Sequence, residues 1–101
     1  MASGSITSMK IKTAGFAVPN DSDVTYTLSG NYAFMVQIFR ANSTSTGYNG
    51  LYIGQGHNNG SIKEILASSA IATMSISGKV ITMRASSGVS NVNAKIIEFI
   101  D

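Results

Sequence analysis

Cysteine is absent from the 101 residues. Disulfides, thiolate zinc sites, iron–sulfur clusters and cysteine nucleophiles are therefore excluded. Charge is scarce as well: Asp, Glu, Lys and Arg make 12% of the chain, about half the usual share. The Ala, Leu, Glu and Lys excess that supports coiled coils and helix bundles is missing. No apolar run approaches the roughly 20 residues of a membrane helix, so membrane insertion is not expected. Met1 to Ser8 lacks the apolar stretch of a signal peptide. The formal net charge is only +2. Its cations (Lys10, Lys12, Arg40, Lys63, Lys79, Arg84, Lys95) are scattered, whereas nucleic-acid proteins cluster theirs. Nucleic acid is therefore not an expected partner.

Ser, Gly, Thr and Asn fill much of the space that charge leaves, making 41 of the 101 residues. Hydrophobic residues reach 44%, which with the small net charge argues against disorder. The length fits one domain over residues 1–101. Met1-Ala2-Ser3-Gly4-Ser5 reads as a short linker or an expression scar.

Period-2 alternation dominates. Val24, Tyr26 and Leu28 alternate with Thr25 and Thr27, a half-buried strand. Tyr32 to Arg40 is apolar on both faces, which predicts a central strand covered on two sides. Further strands are expected over Ile6–Lys12, Leu51–Gln55, Ser61–Leu66 and Asn93–Asp101. Residues 14–23, with the only proline at 19, are expected to be a connection. Ala72–Ser77 and Val80–Arg84 flank Gly78-Lys79, which suits a type II′ hairpin. That register pairs Ile76 with Ile81 and Met74 with Met83. Lys63 to Ala72 is the best helix candidate, but its serines and β-branched residues weaken it. The expected fold is all-β: an antiparallel, jelly-roll-like β-sandwich of about seven or eight strands.

Recognisable chemistry is thin. His57 is the only histidine, in a Gly/Asn turn that favours an exposed position. A Ser–His–Asp triad would need an oriented carboxylate and one of the 15 serines beside it, and serines are so common that proximity would mean little. Gly54-Gln55-Gly56-His57-Asn58-Asn59-Gly60 is one residue too long for the dinucleotide fingerprint, and no helix follows it. Asn20-Asp21-Ser22-Asp23 lacks the remaining ligands of a calcium loop. Glu64 and Glu98 fall on different strands with no sign of convergence. Sequons at Asn20, Asn42 and Asn59 are about what chance gives in so Ser/Thr-rich a chain. No catalytic residue, metal ligand or cofactor is expected. The remaining candidate is a distributed ligand surface of Asn42, Tyr48, Asn49, Tyr52, His57, Asn58 and Asn59. Aromatic faces beside amides and hydroxyls bind sugars by stacking and hydrogen bonding.

Three elements, together with the closing strand, add a resemblance. Gly30-Asn31-Tyr32 precedes the apolar run Phe34-Met35-Val36, and Gly50-Leu51-Tyr52-Ile53 supplies a second strand. Ser68 to Arg84 forms the hairpin, and Lys95-Ile96-Ile97-Glu98-Phe99-Ile100 closes the chain. In order and type these segments resemble the C-terminal, distal domain of bacteriophage tail-fibre and minor structural proteins, over residues 28–101. The resemblance implies a non-enzymatic virion module, extracellular and often trimeric. Its implied partners are other virion proteins and a bacterial surface receptor, commonly a saccharide. It carries no fixed binding motif, so no site residue is inherited from it. The stalk repeats expected upstream are missing, which fits a trimmed head domain or a small protein on its own. The alternatives are a purely structural trimerisation, cap or capsid-decoration protein and, further off, a small polysaccharide hydrolase.

Overall fold

The computed structural model describes residues 10–30, 32–40, 46–56 and 59–100. Among them run eight strands: β1 (Lys10–Ala17), β2 (Val24–Thr27), β3 (Ala33–Arg40), β4 (Gly50–Gln55), β5 (Ser61–Leu66), β6 (Ile71–Ser77), β7 (Val80–Ala85) and β8 (Val92–Ile100). A single 3-10 turn, Thr46–Tyr48, precedes β4, and the described residues contain no α-helix. The segment from Lys63, the best helix candidate, is strand to Leu66 and strand again from Ile71.

The strands form two antiparallel sheets, in the orders β1-β8-β3-β4-β5 and β2-β7-β6. Within the larger sheet, β3, β4 and β5 follow one another, and β8 returns to lie beside β3. That arrangement is a Greek key. Its long return passes through β6 and β7 of the second sheet. Every strand reverses direction, so the connections fall at two ends. The near end holds the start of β1, the end of β8 and the β2–β3, β4–β5 and β6–β7 turns. The far end holds the β1–β2, β3–β4, β5–β6 and β7–β8 connections.

The core lies between the sheets. Phe34, Val36 and Ile38 of β3, Ala94 and Ile96 of β8, and Tyr52 of β4 face Ile81, Met83 and Ala85 of β7. Alternation chooses these residues, since successive side chains in a strand point to opposite faces. The β6–β7 hairpin has the expected register, Met74 opposite Met83 and Ile76 opposite Ile81. Gly78 takes φ +60, the conformation required at the first central position of a II′ turn. Gly54 is needed for another reason. A Cβ there would stand 2.7 Å from Cζ of Phe34 and collide with the Ser61 carbonyl oxygen.

Two expectations change. The first strand runs on through Ala17 rather than stopping at Lys12. Phe16 holds it there, packing against the core and stacking on Tyr26 with ring centroids 6.0 Å apart. β3 is central in its sheet, yet only one of its faces is covered. Phe34, Val36 and Ile38 are buried, while Ala33 and Gln37 are exposed and Met35 and Phe39 half-buried.

One acid crosses the sandwich. Glu98 of β8 is fully buried. It accepts hydrogen bonds from the Tyr26 hydroxyl (2.6 Å), the Ser29 backbone N–H (2.6 Å) and the Ser29 hydroxyl (3.3 Å). The Lys12 ammonium donates to Ser29 Oγ at 2.8 Å. Burial pushes the Tyr26 phenol up to about 12, helped by the hydrogen bond and negative charge of Glu98. Tyr26 belongs to the smaller sheet and Glu98 to the larger, so the bond ties the sheets together near the chain's described ends.

Candidate functional site

Among the described residues, the far end carries a loop surface laced by hydrogen bonds. Val18 N–H donates to Val92 O, and Ala85 N–H to Pro19 O, joining the first connection to the strands β7 and β8. Ser86 N–H donates to Ala70 O and Ser69 N–H to Gly47 O. Side chains add to the lacing. The Ser68 hydroxyl donates to Tyr48 O at 2.6 Å and accepts from Ala70 N–H at 3.1 Å. The Ser69 and Ser86 hydroxyls donate to Gly47 O and Ser69 O. Each bond joins segments distant in sequence or satisfies a backbone group that the strand ladders leave free. Short Ser/Gly/Ala segments suit the task, because their small side chains let backbones approach.

A groove of about 510 Å³ opens between residues 17–21 and 89–93 at this end. Pro19 and Val89 give it an apolar flank, and Asn20, Asp21, Asn91 and Asn93 give it polar groups. Asn20 Nδ2 donates to Val89 O at 3.0 Å, which fixes the amide and leaves its carbonyl oxygen free to accept. Asn93 Nδ2 does the same toward Asn91 O at 3.0 Å. Asn91 has φ 60, a left-handed conformation that asparagine tolerates better than most residues. Arg40 Nε donates to Ser90 O at 2.8 Å, and its guanidinium lies 5.0 Å from the Tyr48 ring centroid. Arg40 thus links the groove wall to Tyr48. The result is a rigid array of acceptors, one carboxylate and an apolar flank, with an aromatic ring beyond Arg40. Hydroxyl donors of a neutral polyol fit such an array.

A second cleft, about 300 Å³, lies at the open edge of the sandwich between β5 and β6. Tyr52, Glu64, Ile71 and Met74 line it. Burial pushes the Tyr52 phenol above its ordinary value, and the charge and hydrogen bond of Glu64 add to the rise. A backbone hydrogen bond at Ser68 acts in the other direction. Tyr52 is only 4% exposed, so it serves the core as well as the cleft.

The sequence-derived ligand surface is divided by this geometry. Tyr48, half-buried, and Asn49, exposed, stand ahead of β4 at the far end. Asn59 is exposed in the turn after β4, at the near end. Six extended residues separate them, about 20 Å. Asn42, His57 and Asn58 lie outside the described residues. The groove residues Asn20, Asp21, Asn91 and Asn93 were not singled out as one site by sequence. Asn20, Asp21 and Asn91 sit in turn-like segments and Asn93 near the start of β8, and the meeting of the β1–β2 and β7–β8 connections in space joins them. Arg84 Nε approaches Asp23 Oδ1 to 2.9 Å at the same end, as an ion pair without hydrogen-bond alignment. Both side chains are substantially exposed.

Among the described residues no three His, Asp or Glu side chains are grouped to hold a metal ion. No described helix is long and apolar enough to cross a membrane. Comparison with known proteins finds no matching family model, no matching curated protein and no matching solved structure.

Proposed function

We propose that this chain is a non-enzymatic adhesion module of a phage virion, a distal tail-fibre domain that binds a bacterial surface saccharide. The observation that carries this reading is the far end. Its connections are laced by hydrogen bonds into one preorganised surface, opposite the end where β1 starts and β8 stops. Preorganised loops lose little entropy on binding. Neutral acceptors of the kind found at Asn20, Asn91 and Asn93 suit weak contacts to sugar hydroxyls. Weak single sites gain from repetition, so the module acts as a homotrimer. Its fold is a jelly-roll variant, a reading supported by the outer nesting of β1 with β8 and of β2 with β7. The location is extracellular, on the virion, among other virion proteins.

A glycan array and binding to intact bacteria test the proposal. Asp21→Ala and Tyr48→Ala are expected to abolish binding, while Asn59→Ala at the near end leaves it unchanged. No binding by the intact oligomer would refute adhesion. It would favour a second reading, a structural cap or trimerisation module. Exposed Ile11, Ile53, Leu66 and Phe99 support that second reading.

A further inference from the structure

The two outer faces of the sandwich have opposite chemistry. The smaller sheet turns Thr25, Thr82 and Ser75 outward in one cross-strand row, with Thr27 and Ser77 beside Val80 in the next. The larger sheet turns out Ile97, Met35 and Ile53 in register across β8, β3 and β4. Ile11 lies opposite Phe99 on one side of that row, and Leu51 opposite Leu66 on the other. Ile11, Ile53, Leu66 and Phe99 are 53%, 39%, 52% and 38% exposed. A sheet with one wet face normally alternates apolar-in with polar-out. β3 breaks that rule by presenting Met35 and Phe39 to the uncovered side, and exposed apolar patches of this kind mark interaction surfaces.

We propose that the outer face of the five-stranded sheet packs against other copies of this chain, the apolar faces meeting about the axis of the homotrimer. Size is the first argument. Five strands about 4.8 Å apart and about 25 Å long present roughly 600 Å², close to the roughly 800 Å² that each partner gives to a standard interface. Charge is the second. The cations on this face stand away from its centre. Lys63 is on the edge strand β5, and the Lys95 stem leans over Gly15 toward edge strand β1. An acidic partner would set its charge over an apolar centre. A second copy sets apolar centre on apolar centre and leaves both lysines at the rim. The inference deepens the homo-oligomer of the proposed function and is independent of saccharide binding.

Analytical ultracentrifugation across the micromolar range tests it, with Ile53→Asp and Ile11→Glu as face variants and Thr82→Asp as the opposite-face control. Folding is checked by circular dichroism. The expected result is an oligomeric wild type and control, with face variants weakened at least about 30-fold. A monomeric wild type overturns both the interface and the oligomer. An oligomer that persists in both face variants overturns this interface alone. A monomer that floats with phosphatidylcholine vesicles through this face also overturns it and assigns the surface to lipid. Should Ile53→Asp fail to fold, Ile53→Cys gives a second readout, because the chain has no other cysteine. Maleimide labelling is expected to stop as the oligomer forms. Equal labelling at all concentrations overturns the proposal.

Discussion

Replacing Glu98 with leucine removes a fully buried carboxylate at nearly constant volume. Three donors lose their acceptor: the Tyr26 hydroxyl, the Ser29 N–H and the Ser29 hydroxyl. The Ser29 hydroxyl is exposed and turns to water. The backbone N–H cannot turn, and leaving this part-buried donor without its acceptor costs up to about 1–3 kcal/mol. Tyr26 is half-buried, so its hydroxyl recovers part of its loss from water. The leucine also removes the cost of keeping a charge out of water, which limits the damage. The net expectation is a loss of about 2–4 kcal/mol, a large share of a domain's stability of roughly 5–15 kcal/mol. In urea at pH 7 the midpoint should fall by about 2 M at a slope of about 1.5 kcal/mol/M. Tyr26→Phe alone should cost about 1.5–3 kcal/mol, because its bond is to an ionised acceptor. The double variant should cost less than the two single losses together by about 1–2 kcal/mol. A neutral Glu98→Leu, or single losses that simply add, would refute the view that this bond ties the sheets.

The same tyrosine predicts a loss of stability in alkali. Its folded pKa stands at about 12 against an ordinary 10.0, so its contribution is complete below pH 10 and disappears as pH rises toward 12. The ring's partial exposure holds the effect to about 2 kcal/mol or less, and Tyr26→Phe should flatten that limb of a pH–urea titration. Gly54→Ala should lower stability by about 3 kcal/mol or more, since its methyl meets the Phe34 ring and the Ser61 carbonyl; a melting temperature within a degree or two of wild type would contradict this. Gly78→Val should cost about 1–2 kcal/mol from positive φ alone, while Gly78→Asn should cost clearly less. Asp23→Asn should shift stability by less than about 1 kcal/mol and only at low salt, because both partners of its ion pair are exposed.

The parts of the fold that sequence disclosed are those in which local rules agree. In the β6–β7 hairpin, Gly78 sets the turn and alternation sets the faces, so even the register follows. The insertion of β8 between β1 and β3 left no such trace, since it pairs Lys10 with Ile100 and no periodicity spans that interval. β3 misled in an informative way. Its two apolar faces implied cover on both sides, and a single chain supplies one. Glu98 did leave a signal: it stands in phase with buried Ala94 and Ile96, so an acid on the inward face needed donors. Sequence could not name Tyr26 and Ser29 as those donors, because they arrive from another sheet and a turn. The far-end groove was hidden for a similar reason. Asn20 and Asn91 each suit a turn by themselves, and the Asn20–Val89 and Val18–Val92 bonds bring their segments together.

The Greek-key return sets an order on folding. Of the eight described strands, β8 comes last in sequence and is the longest. It fills the slot between β1 and β3, so among the described strands β1 has no sheet partner until β8 has been made. Until then the edge of β3 that β8 will cover and the backbone of β1 wait unpaired, a state prone to wrong pairings. Such end-to-end pairing also slows closure, placing folding in the millisecond-to-second range of all-β domains. The strand that completes the larger sheet therefore also decides when the chain stops being an aggregation risk.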